Sequence, residues 1–185
     1  MEWLQKGMNE VGKLFEQGEY FIADLIVAGT LFRKAISFFP PSVTLKKRNS
    51  PLGNIVIGVM EGDIHDIGKD LICDGLNFSG VEVIDLGVDV SIETFLRAIK
   101  EYRPDILGIS TVMDSSFINI KQLIAALEAE KLMEGIKVVV GGAIVDARFV
   151  KVGGVDCLTN DYQTGMDYCL TFLRNKYNEE FSVDE

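Results

Sequence analysis

Between Asn54 and Leu158 short apolar runs alternate with longer segments of helical periodicity, and no other feature of the chain restricts its fold so strongly. The strand candidates are Asn54–Met60, Val81–Leu86, Asp105–Ser110, Lys137–Val140 and Val155–Leu158. The helix candidates between and after them are Ile67–Phe78, Ile92–Tyr102, Ser116–Met133, Ile144–Val150 and Gly165–Tyr177. A half-buried strand alternates apolar with polar residues. The run Ile-Val-Ile-Gly-Val after Asn54 is instead apolar throughout, the pattern of a parallel strand covered on both faces. Five βα units in succession predict an α/β domain built on a doubly wound parallel sheet.

Two helical segments precede this region. Trp3, Leu4, Met8, Val11, Leu14 and Phe15 share one face of the first. In the second, Phe21, Leu25, Ala28, Phe32, Ala35 and Phe39 recur every three or four residues, while Ile22, Ile26, Leu31 and Ile36 make the neighbouring faces apolar too. A helix of that kind must be covered on more than one side. Pro40 and Pro41 end it, and the basic, proline-containing stretch 42–52 reads as a linker. The expected division is therefore a two-helix cap over 1–41, the linker, and an α/β domain over 53–185.

Composition narrows the class of partner. With 28 acidic against 18 basic residues the net charge is -10, which repels phosphate backbones and anionic lipid, so neither nucleic acid nor membrane is expected. Cys73, Cys157 and Cys169 are widely spaced and form no metal-binding pattern, as in a reduced interior. No apolar stretch approaches the ~18 residues of a membrane span, and the first residues do not resemble a leader. A soluble, unprocessed, cytoplasmic protein is expected.

In open parallel sheets the ligand lies beyond the carboxyl ends of the strands, where strand order reverses. The flavodoxin-like (Rossmann-like) order 2-1-3-4-5 puts that point between strands one and three. His65, the only histidine, follows strand one in the loop Gly62-Asp-Ile-His-Asp-Ile-Gly68. Ser110-Thr111 ends strand three, Gly141-Gly142 ends strand four, and Asn160-Asp161 follows strand five. Taken singly, each has a plain structural role: a capping serine, a tight turn, a helix start. Together on one edge, beside a histidine whose free ring nitrogen Asp63 can orient, they make a cofactor site.

The spacing Asp63-x-His65-x-x-Gly68, within Gly62-Asp-Ile-His-Asp-Ile-Gly-Lys69, resembles the corrinoid proteins of methyltransferase systems and the cobalamin domain of methionine synthase. Ser110-Thr-Val112 is similar to that family's Ser-x-Leu pattern, with valine for leucine, and Gly141-Gly142-Ala143 to its Gly-Gly turn. Asp114 stands where relatives often carry a threonine or another small residue. The resemblance spans roughly residues 16 to 160.

It implies a methylcobalamin or other corrinoid cofactor, held with its dimethylbenzimidazole off the cobalt and His65 on it as the metal ligand. The loop Gly62, Asp63, Asp66, Ile67 and Gly68 would surround that ligand. Ser110, Val112, Asp114, Gly141, Gly142, Ala143 and Asp161 would line the channel for the displaced tail. Phe21 and Leu25 would cover the methyl-bearing face, in a segment where relatives have a four-helix cap. Only two helices fit before Pro40, so a homodimer that rebuilds a four-helix bundle is expected. The implied function is that of a methyl carrier rather than a complete enzyme. Its partners would be a substrate-specific methyltransferase, an acceptor methyltransferase and a corrinoid-reactivating reductase. A subunit of a cobalamin-dependent isomerase and a cobalamin-dependent sensor are the alternatives.

Overall fold

A computed structural model of the chain describes residues 2–38, 51–143 and 153–180. The chain separates into two compact units, Met1–Ser50 and Pro51–Glu185.

The first unit is a helical hairpin of α1 (Glu2–Glu16) and α2 (Ile22–Ser37). Gly18 takes the left-handed φ of 75° that reverses the chain, while the amides of Glu19 and Tyr20 return to the Leu14 carbonyl. Asp24, in the first turn of α2, accepts the Phe21 amide at 2.8 Å and so satisfies a donor at the helix start. Phe32 is buried, while Phe21, Ile26, Val27, Leu31 and Phe38 are exposed. The proline stop at 40–41, the helix expected at 144–150 and most of the expected linker lie outside the described residues. Leu52, at the end of that expected linker, is buried in the second unit.

The second unit contains β1 (Asn54–Val59), α3 (Ile67–Phe78), β2 (Glu82–Asp85), α4 (Ile92–Tyr102), β3 (Ile106–Ser110), α5 (Ser116–Ala129), β4 (Lys137–Gly141), β5 (Cys157–Thr159) and α6 (Tyr162–Glu180). The five strands form one parallel sheet in the order β2-β1-β3-β4-β5. This is the flavodoxin-like fold, with β1 central: Val56 pairs with Ile84 on one side and Leu107 on the other.

The all-apolar strands are explained by two cores. Val56, Leu107, Ile109, Val138 and Val140 pack under Phe95, Ile99, Leu123 and Leu127 from α4 and α5. Their neighbours along the strands, Ile55, Ile57, Ile106 and Val139, pack on the opposite face with Cys73, Leu76, Met166, Cys169 and Leu173 from α3 and α6. Each such large side chain contributes about 1.5–3 kcal/mol by leaving water.

Two helices differ in extent from the periodicity, and α6 also runs on to Glu180, three residues past the expected Tyr177. The α5 helix stops at Ala129, not Met133, because Lys131 adopts φ 57° and the Leu132 amide turns back to the Leu127 carbonyl. Leu132 and Met133 continue the apolar pattern only because they pack on the core from the turn. The α6 helix begins three residues before Gly165, where Asp161 Oδ1 accepts the Thr164 amide at 2.6 Å.

At the amino edge of the sheet, buried Asp105 ties β1, β3 and α6 together. It accepts from the Asn54 amide at 2.8 Å, from Lys176 Nζ at 2.5 Å and from the Tyr177 hydroxyl at 3.1 Å. That edge is built for stability, and the opposite edge carries the candidate site.

Candidate functional site

The β1 strand ends at Val59, and Met60 makes one further bridge to Val90. The Asp63 amide then closes a turn on the Met60 carbonyl at 3.0 Å, with Gly62 at φ 84°. This turn drives the Asp63 carboxylate inward to 1% exposure while His65 stays outside, its side chain 59% exposed.

Four donors converge on that carboxylate. Oδ1 accepts the His65 backbone amide at 3.0 Å and lies 2.7 Å from His65 Nδ1. Oδ2 accepts the Val112 amide at 2.6 Å and the Thr111 hydroxyl at 3.0 Å. Burial pushes the Asp63 pKa up, but the hydrogen bonds from the His65 and Val112 amides, the His65 ring and Thr111 outweigh it and hold the carboxyl below its ordinary value. An ionised carboxylate only accepts. This network therefore assigns the ring proton to Nδ1 and leaves the lone pair on Nε2, the form in which imidazole ligates a metal.

No group of three or more His, Cys, Asp or Glu side chains among the described residues is placed to hold a metal ion. One imidazole is too few for a bare cation and suits a metal that arrives with its other coordination positions filled by a macrocycle. Ile64, Val88 and Met113, from the connections that follow β1, β2 and β3, and Ile67, the first residue of α3, leave large apolar side chains exposed at that edge.

The other expected residues divide by what their side chains do. Ser110 is the last residue of β3, in register with Val59 of β1 and Gly141 of β4. A Cβ on Gly141 would meet nothing nearer than the Thr159 carbonyl oxygen at 3.7 Å, so there is room above it. Gly142 is different: at φ 147° a Cβ would stand 1.7 Å from the Thr111 carbonyl oxygen. Val112 contributes its backbone amide to Asp63. Asp66, Gly68, Asp114 and Ala143 are exposed on the same edge. Asp161 is engaged as the α6 cap. Phe21 and Leu25 belong to the first unit.

Two contributors have roles that the sequence did not assign: Thr111, read only as the end of strand three, and Asp89. Thr111, fully buried, secures Asp63 and orders its own loop by accepting the Met113 amide at 3.1 Å. Its signal is the second hydroxyl of the Ser110-Thr111 pair that follows the apolar run Ile106–Ile109. Asp89 accepts the Gly62 amide at 2.8 Å through Oδ1, a contact between segments that no local spacing reveals.

A buried carboxylate, an outward imidazole and exposed apolar side chains thus meet at the carboxyl edge of a flavodoxin-like sheet, where open parallel sheets bind their ligands. Residues 53–166 match the B12 binding domain family, and residues 1–38 match a second B12 binding domain model; the chain belongs to this family.

Its relatives make the assignment more particular. The chain is 38% identical over 151 residues to trimethylamine corrinoid protein 2 of Methanosarcina acetivorans, covering 81% of this chain and 70% of the relative. Among solved structures it resembles a cobalamin-binding protein from Desulfitobacterium hafniense, with TM-score 0.73 and 36% identity over 91% of this chain and 79% of that one. It also resembles the monomethylamine corrinoid protein of Methanosarcina barkeri, with TM-score 0.62 and 30% identity over the same shares, 91% and 79%.

Proposed function

We propose that this chain is a corrinoid methyl carrier that binds cobalamin with the benzimidazole displaced and His65 as the lower ligand. Bound there, the corrinoid supplies a cobalt centre that accepts a methyl group from one methyltransferase and yields it to another. Relatives bearing the names of methylamine corrinoid proteins support the carrier role. The observation that carries the ligand assignment is the 2.7 Å contact between Asp63 and His65 Nδ1.

The remaining work falls to the chain's own residues. Asp63 keeps the proton on Nδ1 and raises the basicity of Nε2. Thr111 and the Val112 amide keep Asp63 ionised and immobile. Ile64, Ile67, Val88 and Met113 would give a bound corrinoid apolar contacts that exclude water beside His65. Gly141, with open space above it, admits the nucleotide tail beside Ser110. A corrinoid-reactivating reductase returns oxidised carrier to use.

The test is the visible spectrum of the full chain mixed with hydroxocobalamin. The wild type is expected to show the histidine-ligated, base-off form and His65→Ala to lose it. Asp63→Asn should weaken cobalamin retention by roughly 10–100-fold, the usual cost of losing the partner of a ligand histidine. Identical spectra for wild type and His65→Ala would overturn the reading.

A further inference from the structure

The loop that presents His65 has little holding it from within. Ile64, His65, Asp66, Ile67 and Gly68 are all exposed. Asp63 pins the inner side of the turn, but the two ends of the loop, at Gly62 and at Lys69 in the first turn of α3, are held from elsewhere.

The two holds come from the end of β2 and from the connection that follows it. At the entry, Asp89 Oδ1 accepts the Gly62 amide at 2.8 Å, and the Asp89 amide donates to the Asp63 carbonyl at 3.0 Å. Asp89 does this from a left-handed backbone conformation, φ 54°, unusual for a residue other than glycine. At the exit, the Lys69 ammonium is buried, its side chain 2% exposed, and reaches Asp85 Oδ2 at 2.5 Å and Asp70 Oδ1 at 2.7 Å. Asp85 is itself fixed, its Oδ1 accepting the Gly87 amide at 2.9 Å. A lysine is almost never fully buried unless paired, and here the pair joins the start of α3 to the end of β2.

We infer that Asp85 and Asp89 form a two-point clamp that positions the ligand histidine, gripping the His65 loop at Lys69 from the end of β2 and at Gly62 from the connection that follows it. The inference deepens the proposed function in one respect: the clamp sets how much bound cobalamin is histidine-ligated. Neither aspartate touches the cofactor in this account. They act through the loop backbone, so losing a grip point leaves cobalamin able to bind but frees the imidazole to leave the metal. The clamp also makes the β2–α4 connection the place from which movement would reach the ligand.

Substitutions at Asp89 separate this role from simple backbone strain. Asp89→Gly relieves the left-handed conformation but removes the side-chain acceptor, whereas Asp89→Asn keeps an acceptor oxygen and tolerates the same backbone. Two readouts are needed: the fraction of histidine-ligated cobalamin from the visible spectrum, and hydrogen exchange at the Gly62 amide in the cofactor-free chain. For Asp89→Gly the histidine-ligated fraction should fall at least threefold and Gly62 exchange should quicken about tenfold, the loss of one closing hydrogen bond, with the thermal midpoint unchanged or raised. Asp89→Asn should lie near wild type in both. Lys69→Met, which releases the other end, should reproduce the spectral loss.

An Asp89→Gly chain with wild-type spectrum and wild-type Gly62 protection would overturn the clamp. A wild type that never shows histidine ligation would overturn the proposed function instead. Gly62 exchange would still decide whether Asp89 holds the loop.

Discussion

Asp63 shows how one side chain fixes the orientation of a surface histidine. Its burial would be unfavourable alone; with donors from Thr111, Val112 and His65 it becomes a fixed negative charge that dictates the tautomer of the ring above it. The paired glycines make a sharper prediction, because the two residues face different constraints. Gly142→Ala places a methyl group 1.7 Å from the Thr111 carbonyl oxygen at a φ of 147° that alanine rarely adopts. It should destabilise the domain by roughly 2–4 kcal/mol in urea unfolding. Gly141→Ala meets its nearest atom at 3.7 Å and should cost less than about 1 kcal/mol. If Gly141 admits the nucleotide tail, the same Gly141→Ala chain should nevertheless retain cobalamin poorly. A stable Gly141→Ala chain that holds the cofactor as tightly as wild type would remove Gly141 from the channel.

At the level of elements, the helices on the two faces of the sheet are packed differently. The α4 and α5 face is aliphatic and aromatic, while the α3 and α6 face includes Cys73, Cys169 and Tyr162. Burial pushes the Cys73 and Cys169 thiols from 9.0 up to about 12, and burial together with nearby Asp74 pushes the Tyr162 phenol from 10.0 to about 12. All three are acids whose folded pKa is raised. Their neutral forms therefore favour the fold fully below pH 9, and that contribution is lost as pH rises from 9 toward 12. The urea midpoint should fall over this window, and Tyr162→Phe should make the fall shallower, recovering on the order of 1–2 kcal/mol at its alkaline end. Parallel curves for wild type and Tyr162→Phe would contradict the assignment.

For the molecule as a whole, the helical hairpin exposes more apolar surface than two helices can hide. Trp3, Phe21, Val27, Leu31 and Phe38 are each more than half exposed, and this much large apolar exposure on two helices points to an interaction surface. We propose that a second copy covers it, four helices making a bundle with closed twofold symmetry. Sedimentation at micromolar concentration should give a dimer, and Leu31→Glu should shift it toward monomer without loss of the α/β domain's unfolding transition. A monomeric wild type would transfer the covering role to a partner methyltransferase.

Much of this was legible in the residues. The runs around Ile55–Val59, Ile106–Ile109 and Val138–Val140 declare strands covered on both faces, because no strand with a wet face could be apolar at successive positions. The αβ alternation then leaves few sheet topologies, and the loop after the first strand must face the ligand edge. Asp63 and His65, two residues apart, were readable because their contact is local. What only the tertiary structure decided is everything joining distant segments: Thr111 and Val112 onto Asp63, Asp89 onto Gly62, Asp85 onto Lys69. Where α5 stops was also beyond periodicity, since Leu132 and Met133 are apolar for the core they reach from a turn. Sequence carries pattern along the chain, and a hydrogen bond between loops depends on where the sheet brings their ends together.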